Sequence, residues 1–205
     1  MKKICSTFLL AVAAGICIGI GGTAFLSLEN KIAGALFFAV GLYIICVHGL
    51  NLYTGKIGYL PEKGIGYLPE LFIIWLGNLA GTLLVAGAMH LTRFSSIEET
   101  AAAACEGRLK DSYGSLFLLA VFCGLLMFAA VDGYKKVSNP ILLYACVAGF
   151  ILCGFEHCIA DMFYFSAGGA WSADGLLRIL VITLGNSVGG CLIPVIKMTL
   201  PAGTK

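Results

Sequence analysis

The chain has 205 residues, 60% of them apolar or aromatic and only 12% charged, about half the usual charged share of a soluble domain. A mean hydropathy of +0.96 excludes an ordinary soluble enzyme or a disordered regulator. A net charge of +2 supplies no field for a polyanion, so no nucleic-acid partner is expected. Glycine is abundant, at 27 residues, which in an apolar chain points to close helix packing in a lipid bilayer.

A bilayer core takes roughly 20 apolar residues per helix. The charge-free runs are Ile4–Leu28, Ile32–Gly55, Leu71–Thr92, Ser112–Val131, Val137–Phe155 and Ile179–Ile196, which predicts an all-α membrane protein with six transmembrane helices. The first run follows Lys2 and Lys3 but is too long for a signal peptide, and Ile16 before Cys17 argues against a lipoprotein signal. With the N-terminus inside, the inner segments hold Lys2, Lys3, Lys56, Lys63, Lys135, Lys136, Lys197 and Lys205. The outer ones hold Lys31, Arg93, Arg108, Lys110 and Arg178. That bias places both termini in the cytoplasm and the chain in the cell membrane as a multi-pass protein.

Between the second and third runs, residues 57–70 carry a tandem duplication, IGYLPEKG then IGYLPE, read as a cytoplasmic loop. The third run contains Leu76-Gly77-Asn78-Leu79-Ala80-Gly81 and the sixth Leu184-Gly185-Asn186-Ser187-Val188-Gly189, both LGNxxG. This spacing sets the glycines and the Asn near one helical face, suited to close backbone approach. Upstream of each motif stands a polar stretch, Gly49 to Lys56 in the first half and Gly154 to Asp161 in the second. Three helices per half is an odd number, so the halves (about residues 4–92 and 112–198) are expected as inverted repeats in a single domain, an arrangement typical of transporters and channels.

Glu156, His157 and Asp161 fall where a membrane helix is otherwise apolar, and intramembrane ionisable groups mark function by default. His157 and Asp161 are four apart and are expected to share a helix face, with Glu156 pointing about 100° away. Glu156 is expected as a buried anchor on backbone amides, and Asp161 as the cap of a half-helix. His48 is a weaker candidate, and His90 reads as interfacial. The nine cysteines form no CxxC pair and lie mostly in apolar runs, where they act as small hydrophobes. There is no metal cluster, nucleotide loop or nucleophile–base pair. No cofactor, no metal and no enzymatic activity are therefore expected. An aquaporin-type neutral-solute channel is the competing class, but it would carry Asn-Pro-Ala motifs, which this chain lacks.

Gly154-Phe155-Glu156-His157-Cys158-Ile159-Ala160-Asp161-Met162 resembles the GFEHSxANM signature of the formate/nitrite transporter family, which includes formate, nitrite and hydrosulfide channels. The two LGNxxG motifs match it too, and Leu52-Tyr53-Thr54-Gly55 is similar to its Ω-loop. The resemblance runs from the first helix to about Lys197. It implies an aquaporin-like homopentamer with one pore per protomer and broken second and fifth helices. His157 would be the central pore histidine and Thr54 the Ω-loop threonine that hydrogen-bonds the substrate or the histidine. Phe38, Leu42 and Phe150 would line one apolar constriction, with Leu52 and Tyr53 at the other. The family's vestibule lysine falls on Arg108, or on Lys110 with a two-residue shift. Asn78, Asn186, Glu156 and Asp161 would be structural polar residues. The implied substrates are small monovalent weak-acid anions, formate first, with nitrite or hydrosulfide as alternatives, crossing with a proton as the neutral acid. Four positions depart from the pattern: Tyr53 for Phe, Asp161 for Asn, Arg108 for Lys, and Gly124 where many formate channels place a pore-facing Asn.

Overall fold

The computed structural model describes residues 2–94 and 96–201. Lys205, counted above among the inner cations, lies outside the described residues. In chain order the helices are α1 (Lys2–Ser27), α2 (Lys31–Val47), α3 (Tyr53–Lys56), α4 (Leu60–Lys63), α5 (Leu68–His90), α6 (Ile97–Lys110), α7 (Tyr113–Val137), α8 (Pro140–Leu152), α9 (Cys158–Ala167) and α10 (Ala173–Thr199). Among the described residues there is no strand. The helices α1, α5, α7 and α10 are long and apolar enough to cross a membrane, whereas α2, α8 and α9 are shorter apolar helices. Their outward faces are apolar: Leu9, Phe72, Leu118 and Leu184 are all exposed, as expected where hydrocarbon rather than water is the neighbour.

Two of the expected spans are not continuous helices. The run Ile32–Gly55 is divided into α2 and α3, and the run Val137–Phe155 ends as a helix at Leu152, with α9 resuming only at Cys158. The same local device ends α2 and α8. Gly49 and Gly154 take left-handed backbone angles, φ 64° and 70°, which favour a residue without a Cβ. The next amide then reaches back, Leu50 N–H to the Ile45 carbonyl and Phe155 N–H to the Phe150 carbonyl, each at 2.9 Å. Together with the bonds from Gly49 to Cys46 and from Gly154 to Ile151, these are Schellman motifs that satisfy the carbonyls left open at a helix end.

The tandem duplication is more ordered than a loop. Residues 57–59 and 65–67 form 3₁₀ turns around α4, so the chain from Tyr53 to α5 is mostly helical turns. Pro61 and Pro69 sit in the first turns of α4 and α5, where a missing amide hydrogen costs nothing. The connection between the third and fourth runs contains a further helix, α6. Its Glu98 and Glu99 stand in the first turn and Arg108 and Lys110 in the last, each favourable to the helix dipole. Its buried side is Ile97, Ala101 and Cys105, spaced by four, and Arg108 continues that face inward.

The core has two matching halves. The helix α1 packs along α5, and α7 along α10, in the two most extensive helix pairings. Both are close approaches. A Cβ on Gly15 would collide with the Asn78 carbonyl, and one on Gly124 with the Asn186 carbonyl. Gly124 therefore faces α10 in this chain. An Asn could not fit there without separating the two helices.

Candidate functional site

Each helix break is held by the Asn of an LGNxxG motif. Asn78 Nδ2 donates to the Ala11 carbonyl on α1 at 2.7 Å and to the Asn51 carbonyl in the break at 2.9 Å, and its Oδ1 accepts the Tyr53 amide that opens α3 at 2.9 Å. Asn186 repeats this in the second half. Its Nδ2 donates to the carbonyls of Ala120 and Glu156, each at 2.8 Å, and its Oδ1 accepts the Cys158 amide that opens α9 at 2.9 Å. Both Asn residues are fully buried. One amide side chain thus satisfies three backbone groups that the interrupted helix leaves open.

His157 is the residue between the second break and α9. It precedes the helix, so it does not share a helical face with Asp161. Its Nδ1 accepts the Ala160 amide at 3.1 Å, which makes His157, and not Asp161, the N-cap of α9. Its Nε2 lies 2.9 Å from Thr54 Oγ1 at the start of α3. A nitrogen that accepts an amide N–H carries no proton, so the neutral ring keeps its hydrogen on Nε2 and donates it to Thr54. The imidazole is 1% exposed and stacks on Phe150 with ring centres 5.5 Å apart. Phe38 meets the same Phe150 edge-on at 5.9 Å. Leu42 and Leu52 are fully buried.

A cavity of about 70 Å³ opens beside His157, with Phe25, Phe150, Asp161, Tyr164 and Arg108 in its wall. That is room for a few water molecules or a solute of a few atoms. Phe38, Leu42, Leu52, Tyr53 and Thr54 do not line it. Tyr53 borders instead a groove with Leu71, Trp75, Leu180 and Thr183. Its hydroxyl, extra relative to the family pattern, lies 2.9 Å from Ser187 Oγ.

The ionisable residues are arranged differently from expectation. Arg108 Nε stands 2.7 Å from Glu156 Oε2 and 2.7 Å from Asp161 Oδ1. Glu156 is thus anchored by a guanidinium from α6 and not by backbone amides, and Asp161 serves as the second carboxylate on the same cation. Arg108 also donates to the Ala104 carbonyl and lies over the Tyr164 ring at 5.2 Å. Lys110 is exposed and pairs with Glu106 one turn back on α6; it does not line the cavity. His48 is exposed at the end of α2, and His90 lies 3.5 Å from Glu98.

One residue with a structural task was read from sequence only as a topology charge. Arg178 Nη1 donates to the carbonyls of Arg108 and Asp111 at 2.7 and 2.6 Å, and its Nε to Asp174 at 2.8 Å. It closes the C-terminal end of α6, the helix that delivers Arg108. The Asp174–Arg178 spacing of four was the available signal.

The profile of the family described as "Formate/nitrite transporter" matches residues 1–199. Among curated relatives, the "Formate channel FocB" of Escherichia coli is 25% identical over 236 residues, covering 92% of this chain and 84% of that protein. The "Formate channel FocA" of Haemophilus influenzae is 21% identical over 240 residues, covering 93% and 84%. A solved structure titled "Pentameric formate channel with formate bound" superposes with a TM-score of 0.83 at 24% identity, covering 96% of each chain. The match over nearly the whole sequence, the apolar helices and the shared fold agree that this chain is a multi-pass membrane protein belonging to the formate/nitrite transporter family.

Proposed function

We propose that the chain is a channel for small monovalent weak-acid anions, formate first, that crosses the membrane as two inverted three-helix repeats (about residues 4–92 and 112–198). In this reading α2 with α3, and α8 with α9, form the two broken spans of an aquaporin-like protomer. Five protomers assemble in the cell membrane with both termini in the cytoplasm. The matching contacts of Asn78 and Asn186 support the repeat, and the pentameric formate channel of the same fold supports the assembly.

The observation that carries the reading is the Thr54–His157 hydrogen bond, sealed under Phe150 and adjoining a small cavity with an arginine in its wall. A bare anion loses many kcal/mol of hydration in such surroundings unless it is paired or neutralised. Arg108 is held between two carboxyl groups, so it balances them more than it offers a free cation. The ring of His157 offers a hydrogen-bond donor at Nε2. Its Nδ1 is committed to the α9 amide, so adding a second proton to the ring would cost that cap. His157 therefore acts here as a neutral donor that fixes Thr54, whose hydroxyl accepts from the ring and turns its own hydrogen toward the solute. The solute takes its proton from water on the cavity side and passes Phe38, Leu42, Phe150, Leu52 and Tyr53 as the neutral acid.

The test is uptake by proteoliposomes of formate, nitrite and hydrosulfide in turn, with internal pH recorded. Uptake that rises at low external pH and acidifies the lumen supports the reading and ranks the three anions. Flux that builds a membrane potential without moving protons overturns neutral-acid passage.

A further inference from the structure

We propose that Glu156 and Asp161 share one proton beside Arg108, so that a titratable carboxyl pair stands at the cavity, with Asp161 in its wall, and makes solute entry depend on pH. The inference rests on the anion-channel reading above for its transport consequence, but not for the proton itself.

The geometry is specific. A guanidinium Nε carries a single hydrogen, yet Glu156 Oε2 and Asp161 Oδ1 both stand 2.7 Å from it. Two carboxyl groups thus converge on one N–H and one positive charge. Both are buried, Glu156 at 7% and Asp161 at 0% exposure. If both were ionised, the wall would hold an unbalanced negative charge where water is scarce, and two carboxylates in one site avoid this by retaining a proton. The second oxygen of Asp161, Oδ2, is buried without a hydrogen-bond partner. A bare carboxylate oxygen in that position is costly, whereas a protonated one becomes a donor toward Glu156 or cavity water.

The groups that face the pair are few. Arg108 and Cys105 come from α6, Tyr164 and Cys158 from α9, Cys123 from α7, and His157 from the break. Among the described residues Arg108 is the one charged side chain that acts on the two carboxyls besides each other. An Asn at position 161, as in the family signature, would offer no second carboxyl. The feature belongs to this chain.

The sign follows from charge. With the proton in place the wall is neutral, because one carboxylate balances Arg108. When pH rises and the proton leaves, the wall becomes negative and repels an approaching anion. Entry therefore falls with rising pH more steeply than the acid fraction of the solute alone requires.

The experiment compares the native protein, Asp161→Asn and Glu156→Gln. Each variant leaves one carboxylate on Arg108. Formate uptake is measured in proteoliposomes from about pH 5.5 to 10, so that the range spans loss of the shared proton. The native rate relative to that of Asp161→Asn is expected to fall about tenfold across this range, since a unit charge in a partly dehydrated site is worth at least that factor. Glu156→Gln should give the same flattened profile, which a merely structural change at either position would not reproduce. Infrared difference spectra of the purified native protein at neutral pH should contain a carboxylic-acid C=O stretch that both variants lose. Parallel pH profiles of the native protein and Asp161→Asn, or no such band in the native protein, overturn the inference. A native protein that passes none of the tested anions defeats the channel reading instead, and the infrared band still decides whether the pair holds a proton.

Discussion

Thr54 Oγ1 and His157 Nε2 lie 2.9 Å apart although 103 residues separate them in sequence. The contact joins the residue that follows the first helix break to the residue that closes the second. Because His157 Nδ1 is occupied by the Ala160 amide, the Thr54 hydroxyl accepts from the ring and is free to donate its own hydrogen to a solute.

That arrangement predicts an asymmetry between two substitutions at Thr54. Thr54→Val keeps the shape but leaves a buried Nε2–H without an acceptor, at a cost of about 1–3 kcal/mol. Uptake should fall at least about tenfold, while Thr54→Ser should retain most of it. Initial uptake rates in proteoliposomes decide the matter; equal rates for the Val and Ser variants would remove Thr54 from the path.

At His157 two substitutions can separate the helix cap from the proposed solute contact. His157→Phe removes both the Nε2 donor and the α9 cap, so uptake should be abolished and stability reduced by about 1 kcal/mol. His157→Asn supplies another good capping side chain without reaching Thr54. It should melt within a few degrees of the native protein and still fail to transport. Thermal melts in detergent read the first effect and uptake the second. Transport by the Asn variant at the native rate would show that the ring itself is dispensable.

Much of this was legible in the chain. The LGNxxG pair and the glycines at 49 and 154 are readable because close helix approach and left-handed helix ends each demand glycine at a fixed place. The contacts of Asn78 and Asn186 follow from the same repeat. What was hidden is where local signals compete. The segment 97–110 is polar enough to pass for a loop, although its four successive alanines and complementary end charges favour a helix. The Gly–Pro composition of residues 57–70 suggests a loop, yet both prolines occupy first-turn positions that helices tolerate. Cutting spans at charges ended the fifth run before Glu156 and so hid α9. The ion triad was out of reach because Arg108 meets Asp161 across 53 residues, and no spacing rule links them.

The two clamp residues should behave alike. Asn78→Ala and Asn186→Ala each delete a side chain that satisfies three backbone groups, and each should destabilise the protein by about 2–4 kcal/mol. Matching losses of thermal stability are expected, since the bonded partners correspond one for one. A large loss in one variant with none in the other would mean that the two breaks are not held in the same way.

The two basic residues at the end of α6 should separate just as clearly. Lys110 is exposed and pairs only along its own helix, and such pairs contribute about 0–1 kcal/mol. Lys110→Gln should leave stability, uptake and the salt dependence of uptake close to native values. Arg108→Gln removes the one cation that, among the described residues, pairs with the two buried carboxyls. Breaking a buried ion pair from one side costs about 3–5 kcal/mol, so this variant should be strongly destabilised, and more so at high pH, where both carboxyls would otherwise ionise. Adding Asp161→Asn to Arg108→Gln should recover part of the loss by removing one of the stranded acids. Melting curves of the two single variants and the double variant at two pH values test this directly. If Lys110→Gln proves the more damaging change, the cation that governs the cavity has been assigned to the wrong residue.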